Sequence, residues 1–341
     1  MSRVRGVPRR AGRAVPMLAL AVLVAAGCGS DVDATKSALQ RSTVPVDGPS
    51  ASNQPSSDGP VDEAALTAEK QRLVDPCQVL DKDTLGQFGE PDDSTQSGFD
   101  SCANYMADKR GDDLNVTLRL GYGLTSTETE KASSDVEGLP ANAKKSEDGD
   151  TCFVTVVTSS EPPMGIQLQV SYESGDACRV GTTVGSSVIQ RLRSDPPRYP
   201  RPRGTLVGQD PCAVLDKRAV AGVIGDGADT MLGGLHRCTW SAQSTSLTVD
   251  LRRGVPAEKR SGEDVERVDL DGVPAFQESK TDSSYARCKL TWTHRKAPGN
   301  DPAAAEVVSI EYSRYSDETG GDPCAKLRGA VTTAIAALPK P

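Results

Sequence analysis

Aromatic side chains are scarce in this sequence. Four Phe, seven Tyr and two Trp are spread through 341 residues, and there are only two His. Cores built from so little aromatic surface are small and need covalent support. The short strings that usually announce chemistry are missing as well: there is no Gly-x-Ser-x-Gly, no Ser-x-x-Lys, no His-Glu-x-x-His and no phosphate-cradling Gly loop. No Cys-x-x-Cys pair occurs, so zinc ligation has no local signature. The apolar run at residues 17–26 is too short to span a bilayer. Basic charge is in deficit, with 39 Lys and Arg against 47 Asp and Glu and a formal charge of −8. That balance excludes nucleic acid as a main partner, because an acidic chain repels phosphate.

What is present begins with an address. Residues 1–16 carry Arg3, Arg5, Arg9, Arg10 and Arg13 and no acid, residues 17–26 are apolar, and Ala25-Ala26-Gly27-Cys28 follows. A basic stretch, a short apolar stretch and small residues before a cut describe a secretory signal. The Cys after Ala-Gly resembles a bacterial lipobox, although Ala25 stands where Leu is usual. The expectation is a signal peptide over residues 1–27, lipidation of Cys28, and tethering to the outer face of the cytoplasmic membrane. Loss of the five arginines would take the formal charge from −8 to −13. Residues 28–68, rich in Ser, Pro, Asp and Gly, bury too little apolar surface to order themselves and read as a stalk.

Self-comparison is the most informative step. Asp75-Pro-Cys-Gln-Val-Leu-Asp-Lys82 recurs as Asp210-Pro-Cys-Ala-Val-Leu-Asp-Lys217. Cys77, Cys102, Cys152 and Cys178 match Cys212, Cys238, Cys288 and Cys324 at offsets of 135, 136, 136 and 146. Asp135-Val-Glu-Gly-Leu-Pro-Ala141 matches Asp269-Leu-Asp-Gly-Val-Pro-Ala275. Two repeats are expected, at residues 69–193 and 205–341, joined by a Pro/Arg-rich linker at 194–204 whose prolines favour a stiff, solvated spacer. Its arginines also raise the idea of a basic strip for an anionic wall polymer.

Each repeat opens with an Asp N-cap and a Pro in the first turn, then a short helix carrying Leu80, Leu85 and Phe88, or Leu215, Val220 and Ile224. Strict alternation over Leu114–Leu120, Ile166–Tyr172, Cys288–Trp292 and Val308–Tyr312 marks strands. Val184, Val188 and Leu192, and Leu327, Val331, Ile335 and Leu338, each stripe one face of a closing helix. The fold class expected is α+β: two similar domains, each an antiparallel sheet packed with an N-terminal and a C-terminal helix.

With Cys28 assigned to lipid, an even set of four cysteines per repeat remains, which in an exported chain implies two disulfides per domain. The expected pairs are Cys77–Cys102, Cys152–Cys178, Cys212–Cys238 and Cys288–Cys324. The alternative joins first to fourth and second to third.

The lipobox, the stalk, Asp-Pro-Cys opening a short helix, Cys238-Thr-Trp240, the Asp-Gly-Val-Pro-Ala turn and the terminal helix together resemble the actinobacterial lipoproteins of domain-of-unknown-function family 3558, across both repeats. Repeat one departs at Asn104, which stands where repeat two has Trp240, and at Ala177, where repeat two has Pro323. The resemblance implies a surface lipoprotein and no particular activity.

No catalytic residue, metal or cofactor is assigned. His236 falls in register with Cys238 and Trp240, and His294 with Cys288, Leu290 and Trp292. Trp240, Trp292, His236 and His294 are therefore the candidate ligand contacts, all in repeat two; a packed or strand-end role is the competing reading for both histidines. Glu147-Asp-Gly-Asp150 and Asp112-Asp113 lack calcium-loop spacing, and Arg110-Gly-Asp112 reads as a turn. The expected role is a non-catalytic binding or interaction module for an unknown protein or envelope ligand. The alternatives are an envelope enzyme with unrecognised acidic catalysts and a structural spacer.

Overall fold

The structure, a computed structural model, describes residues 63–341 apart from residues 263, 299, 300, 302 and 316–320. The expected signal, Cys28 and most of the stalk lie outside the described residues.

Repeat one opens with three short helices, α1 (Ala68–Gln71), α2 (Pro76–Val79) and α3 (Lys82–Gly86). Strands β1 (Gly89–Glu90), β2 (Thr95–Gln96), β3 (Ser101–Asp108) and β4 (Asp113–Gly123) follow, then α4 (Ser126–Glu130). Strands β5 (Ser134–Val136), β6 (Leu139–Lys145), β7 (Thr151–Ser160) and β8 (Pro163–Ser171) lead to the long helix α5 (Ala177–Arg193). Repeat two runs through a 3-10 turn (Pro211–Ala213), α6 (Lys217–Ile224), β9 (Asp229–Gly234), β10 (Arg237–Ala242) and β11 (Thr245–Gly254). A second 3-10 turn (Ala257–Lys259), β12 (Val265–Leu270), β13 (Val273–Thr281), β14 (Tyr285–Lys296), β15 (Ala305–Tyr315) and α7 (Pro323–Ala337) complete it.

The strands form two antiparallel sheets with one wiring. The eight-stranded sheet runs β1-β3-β4-β8-β7-β6-β5, with β2 also on β3, and the seven-stranded sheet runs β9-β10-β11-β15-β14-β13-β12. Strand for strand the central order is the same. In each sheet alternation sends one face inward: Val154, Leu168 and Val170 onto α5, and Leu290, Val308 and Ile310 onto α7.

Six aspartates set the helix starts. The Asp75, Asp210 and Asp322 carboxylates accept the N–H of the cysteine two residues on, at 3.0, 3.0 and 2.9 Å. Asp176 caps α5 through Arg179. Asp81 and Asp216 then cap a second helix each, through Thr84 and Ala219. The single opening helix expected per repeat is thus two short pieces, because the repeated Asp-Lys pair restarts the helix one turn on. All four disulfides join first to second and third to fourth: Cys77–Cys102, Cys152–Cys178, Cys212–Cys238 and Cys288–Cys324. Each ties a helix start to a strand.

Two expectations need correction. The folded chain begins before residue 69: Leu66 is fully buried in the first core, and Glu63 pairs with Arg193 at 2.9 Å. An apolar side chain with a core to enter ends the stalk sooner than composition suggested. Residues 194–204 are not a solvated spacer. Asp75 N–H bonds Pro197 O and Tyr199 N–H bonds Leu73 O, both at 3.0 Å. Tyr199 is buried, its hydroxyl donating to Phe99 O at 2.7 Å, and burial pushes that phenol up. Arg198, Arg201 and Arg203 stay exposed.

The repeats also clasp each other. Phe99 packs into the core of repeat two, and Leu235, its counterpart 136 residues on, packs into the core of repeat one. Arg72 donates to Leu235 O at 2.8 Å and pairs with Asp210 at 3.2 Å.

Candidate functional site

The four residues singled out in repeat two do not converge. Trp292 is only 2% exposed at the centre of β14 and serves the second core. His236 is buried in the turn before β10. Its Nδ1 lies 2.5 Å from Asp100 Oδ1, its Nε2 lies 2.7 Å from Val207 O, and its ring packs on Phe99 with centroids 4.8 Å apart. His236 is therefore a joint between the repeats. His294 is half-buried, with Nε2 at 2.9 Å from Gly204 O, and burial lowers its proton affinity against the opposing pull of that carbonyl. Trp240 borders a cavity. It lines a pocket of about 450 Å3 with Leu215, Val220 and Gly225, although most of its own surface is covered.

The more informative surface is the face of each sheet turned away from its long helix. In repeat two this outer face carries Asp250, Arg252, Glu278, Arg287, Lys289 and Glu311, and Glu278 and Glu311 are paired with cations within it. Arg287 meets Glu311 at 2.8 Å, Lys289 meets it at 3.9 Å, and Arg260 meets Glu278 at 2.6 Å. The loop after β11 folds over it: Ala257 is fully buried and its N–H donates to Thr293 Oγ1 at 2.9 Å, while Thr293 donates to Glu258 at 2.7 Å. Thr291 and Ser309 beneath are buried and bonded to each other. The covering shows in the charges. Burial drives Lys289 down and Asp250 up, against the pull of neighbouring opposite charges. Burial also pushes Glu311 up, but the Arg287 bond and the Arg287 and Lys289 charges outweigh it and hold the carboxyl below its usual range.

Strand register gives the equivalent positions in repeat one. Cys102 faces Leu118 and Cys238 faces Val249, so Arg119 matches Asp250. Lys144 faces Phe153 as Glu278 faces Lys289. Cys152 faces Val170 and Cys288 faces Tyr312, so Gln169 matches Glu311. Two of the acids are replaced by cations and the third by an amide, and the half-buried Lys289 is replaced by an aromatic ring. The loop after β4 also differs: it forms α4, capped by a reciprocal Thr125–Glu128 box, and stands beside the face rather than filling it. A cleft of about 460 Å3 results, floored by Phe153, Thr155 and Gln167 and rimmed by Arg119, Lys131 and Lys144. Sequence reasoning missed it. The signal was present as opposite charges at matched repeat positions, but it needed the strand register to be read.

A third, more open groove of about 570 Å3 lies along β1 and β3, where Glu90, Asp92 and Asp113 surround the exposed Tyr105. Among the described residues no cluster of three or more His, Cys, Asp or Glu could hold a metal ion, and no helix is long and apolar enough to cross a membrane. The chain matches no family model, no curated protein and no solved structure.

Proposed function

We propose that this chain is an exported lipoprotein, anchored through Cys28, that acts outside the cytoplasmic membrane as a non-catalytic binding module of two similar α+β domains. The membrane partner is the anchor's own lipid bilayer, and the second partner is an envelope ligand. The lipobox-like Ala-Ala-Gly-Cys, the motifs resembling domain-of-unknown-function family 3558, and eight cysteines paired as befits an oxidising compartment support the address.

One observation carries the binding role: two copies of one scaffold keep the same strand order but differ at matched positions of the same sheet face, one covered and with its acids ion-paired, the other open and with cations in place of two of those acids. Scaffolding alone gives no reason for such divergence. The cleft also falls within the roughly 300–1,000 Å3 typical of ligand sites, which disfavours a plain spacer.

Native mass spectrometry of the full chain, released from membranes of an exporting host, tests the role. The expected spectrum contains a mass beyond the lipidated, fully oxidised chain, lost on mild activation. A bare chain from several preparations, alongside unaltered exchange with envelope extract, would overturn it. The anchor has its own test: Cys28→Ser should move the chain from the membrane fraction to the soluble one.

A further inference from the structure

We propose that the outer face of the repeat-one sheet binds a small organic anion, a carboxylate, sulfonate or phosphate group joined to an aromatic or short apolar body. The inference deepens the binding-module reading and rests on it.

The charge argument is local. The chain as a whole is acidic at −8, yet the cleft brings Arg119, Lys131 and Lys144 together around one carboxylate, Glu128. Glu128 is already engaged: its Oε2 accepts both the N–H of Thr125, at 2.8 Å, and its hydroxyl, at 2.9 Å. Arg119 donates to Gln167 Oε1 at 3.3 Å, a neutral acceptor. The side chains of Lys131 and Lys144 are exposed and make no hydrogen bond or ion pair among the described residues. Across the matched face of repeat two, Arg260, Arg287 and Lys289 each meet a carboxylate of the protein itself. Repeat one instead sets cations where two of those acids stand, Arg119 at the position of Asp250 and Lys144 at that of Glu278, so the balancing negative charge is left to a ligand.

The shape argument sets the rest of the ligand. The cleft floor is a sheet surface on which Phe153 replaces a charged side chain, with Val157 and Tyr122 beside it. A flat or apolar body can lie on Phe153 while its acid reaches the rim, where a guanidinium and two ammonium groups approach from different strands and from the end of α4. Charge-assisted bonds of this kind are the stronger ones, and cations over an aromatic floor add selectivity for ring systems.

The test uses three probes with the full chain: 8-anilinonaphthalene-1-sulfonate (anion plus ring), N-phenyl-1-naphthylamine (ring without charge) and inorganic phosphate (charge without ring). The sulfonate is expected to bind at one site per chain, with affinity falling as salt rises. The neutral amine and phosphate should each bind at least about tenfold more weakly. Arg119→Glu with Lys144→Glu should weaken the sulfonate at least about tenfold, Lys131→Glu should do so alone to a lesser degree, and Lys326→Glu on the far helix should change nothing. All are exposed side chains, so folding is expected to survive, and circular dichroism checks it. Sulfonate binding that survives the double reversal lies elsewhere, for instance at the Trp240 pocket. That outcome overturns the cleft assignment while leaving the binding-module reading standing. Equal binding of the neutral amine would overturn the anion requirement.

Discussion

At Asp108 one buried carboxylate holds three stretches of chain. It accepts the Tyr172 hydroxyl at 2.6 Å and the N–H groups of Arg110 and Asp112 at 2.7 and 2.9 Å, and Arg110 reaches on to Ser174 O at 2.8 Å. The Tyr172 bond first, then the Asp112 N–H, hold this carboxyl far below its usual range, with burial opposing and Arg110 assisting. A depressed acid adds stability that is present above the unfolded carboxylate range and is lost as pH falls toward the folded value. Asp108→Asn should therefore lower the thermal midpoint at neutral pH and flatten its decline between about pH 4 and pH 2, read by calorimetry across that range. The Arg110-Gly-Asp112 turn was legible from sequence; its anchor one strand end away was not, because nothing in a short string says which side chain will face it. The tryptophans make the same point. Both alternate inward, yet Trp292 sits inside the second core and Trp240 edges a pocket. Trp292→Ala is expected to cost about 3–5 kcal/mol in denaturant unfolding, and Trp240→Ala measurably less, because its pocket side already lacks packing partners.

Elements explain why the duplication was so readable. The hairpin turns Glu137-Gly138 and Asp271-Gly272 have positive φ at all four residues, from 54° to 87°, the backbone of a type I′ turn. Asp135 and Asp269 brace them by accepting the glycine N–H at 2.9 and 2.8 Å. Each turn also docks on its closing helix, Glu137 on Ser186 and Asp271 on Thr332. The motif thus survived in sequence because a turn, a brace and a dock depend on it. Gly138→Ala or Gly272→Ala should cost about 1–2 kcal/mol, since a Cβ in the left-handed region is strained even in open space. Replacing both Cys288 and Cys324 by Ala frees a loop of 36 residues and should cost about 3–4 kcal/mol by loop entropy. The helix pairs at Asp81 and Asp216 were harder to see, because an apolar stripe crosses the break and a cap inside it looks like surface. The short strands β1, β2 and β5, of two or three residues, are too brief to show any period.

For the molecule as a whole, composition read the linker as a spacer, whereas the backbone shows the repeats sharing cores. Phe99 and Leu235 occupy matched positions and each enters the other repeat's core, while Asp100 and His236, also matched, meet each other. Matched residues meeting in this way is the signature of an isologous, two-fold contact, here within one chain. Nothing along a single repeat announces it. Gly121 lies against Leu235 with φ +54°, and any Cβ there would fall 2.2 Å from Leu235 Cγ. Gly121→Val should therefore separate one cooperative unfolding transition into two in calorimetry, while a single unchanged transition would mean the repeats do not depend on this contact. The duplicated frame, held by its own interface, leaves the outer sheet faces free to diverge, and the cleft of repeat one is where divergence has left charge uncompensated. Lysine-reactivity footprinting of the full chain, with and without envelope small-molecule extract, reads that claim at the residues concerned. Lys131 and Lys144 are expected to lose reactivity in the extract while Lys326 keeps it; unchanged reactivity at Lys131 and Lys144, with a ligand bound elsewhere on the chain, would contradict it.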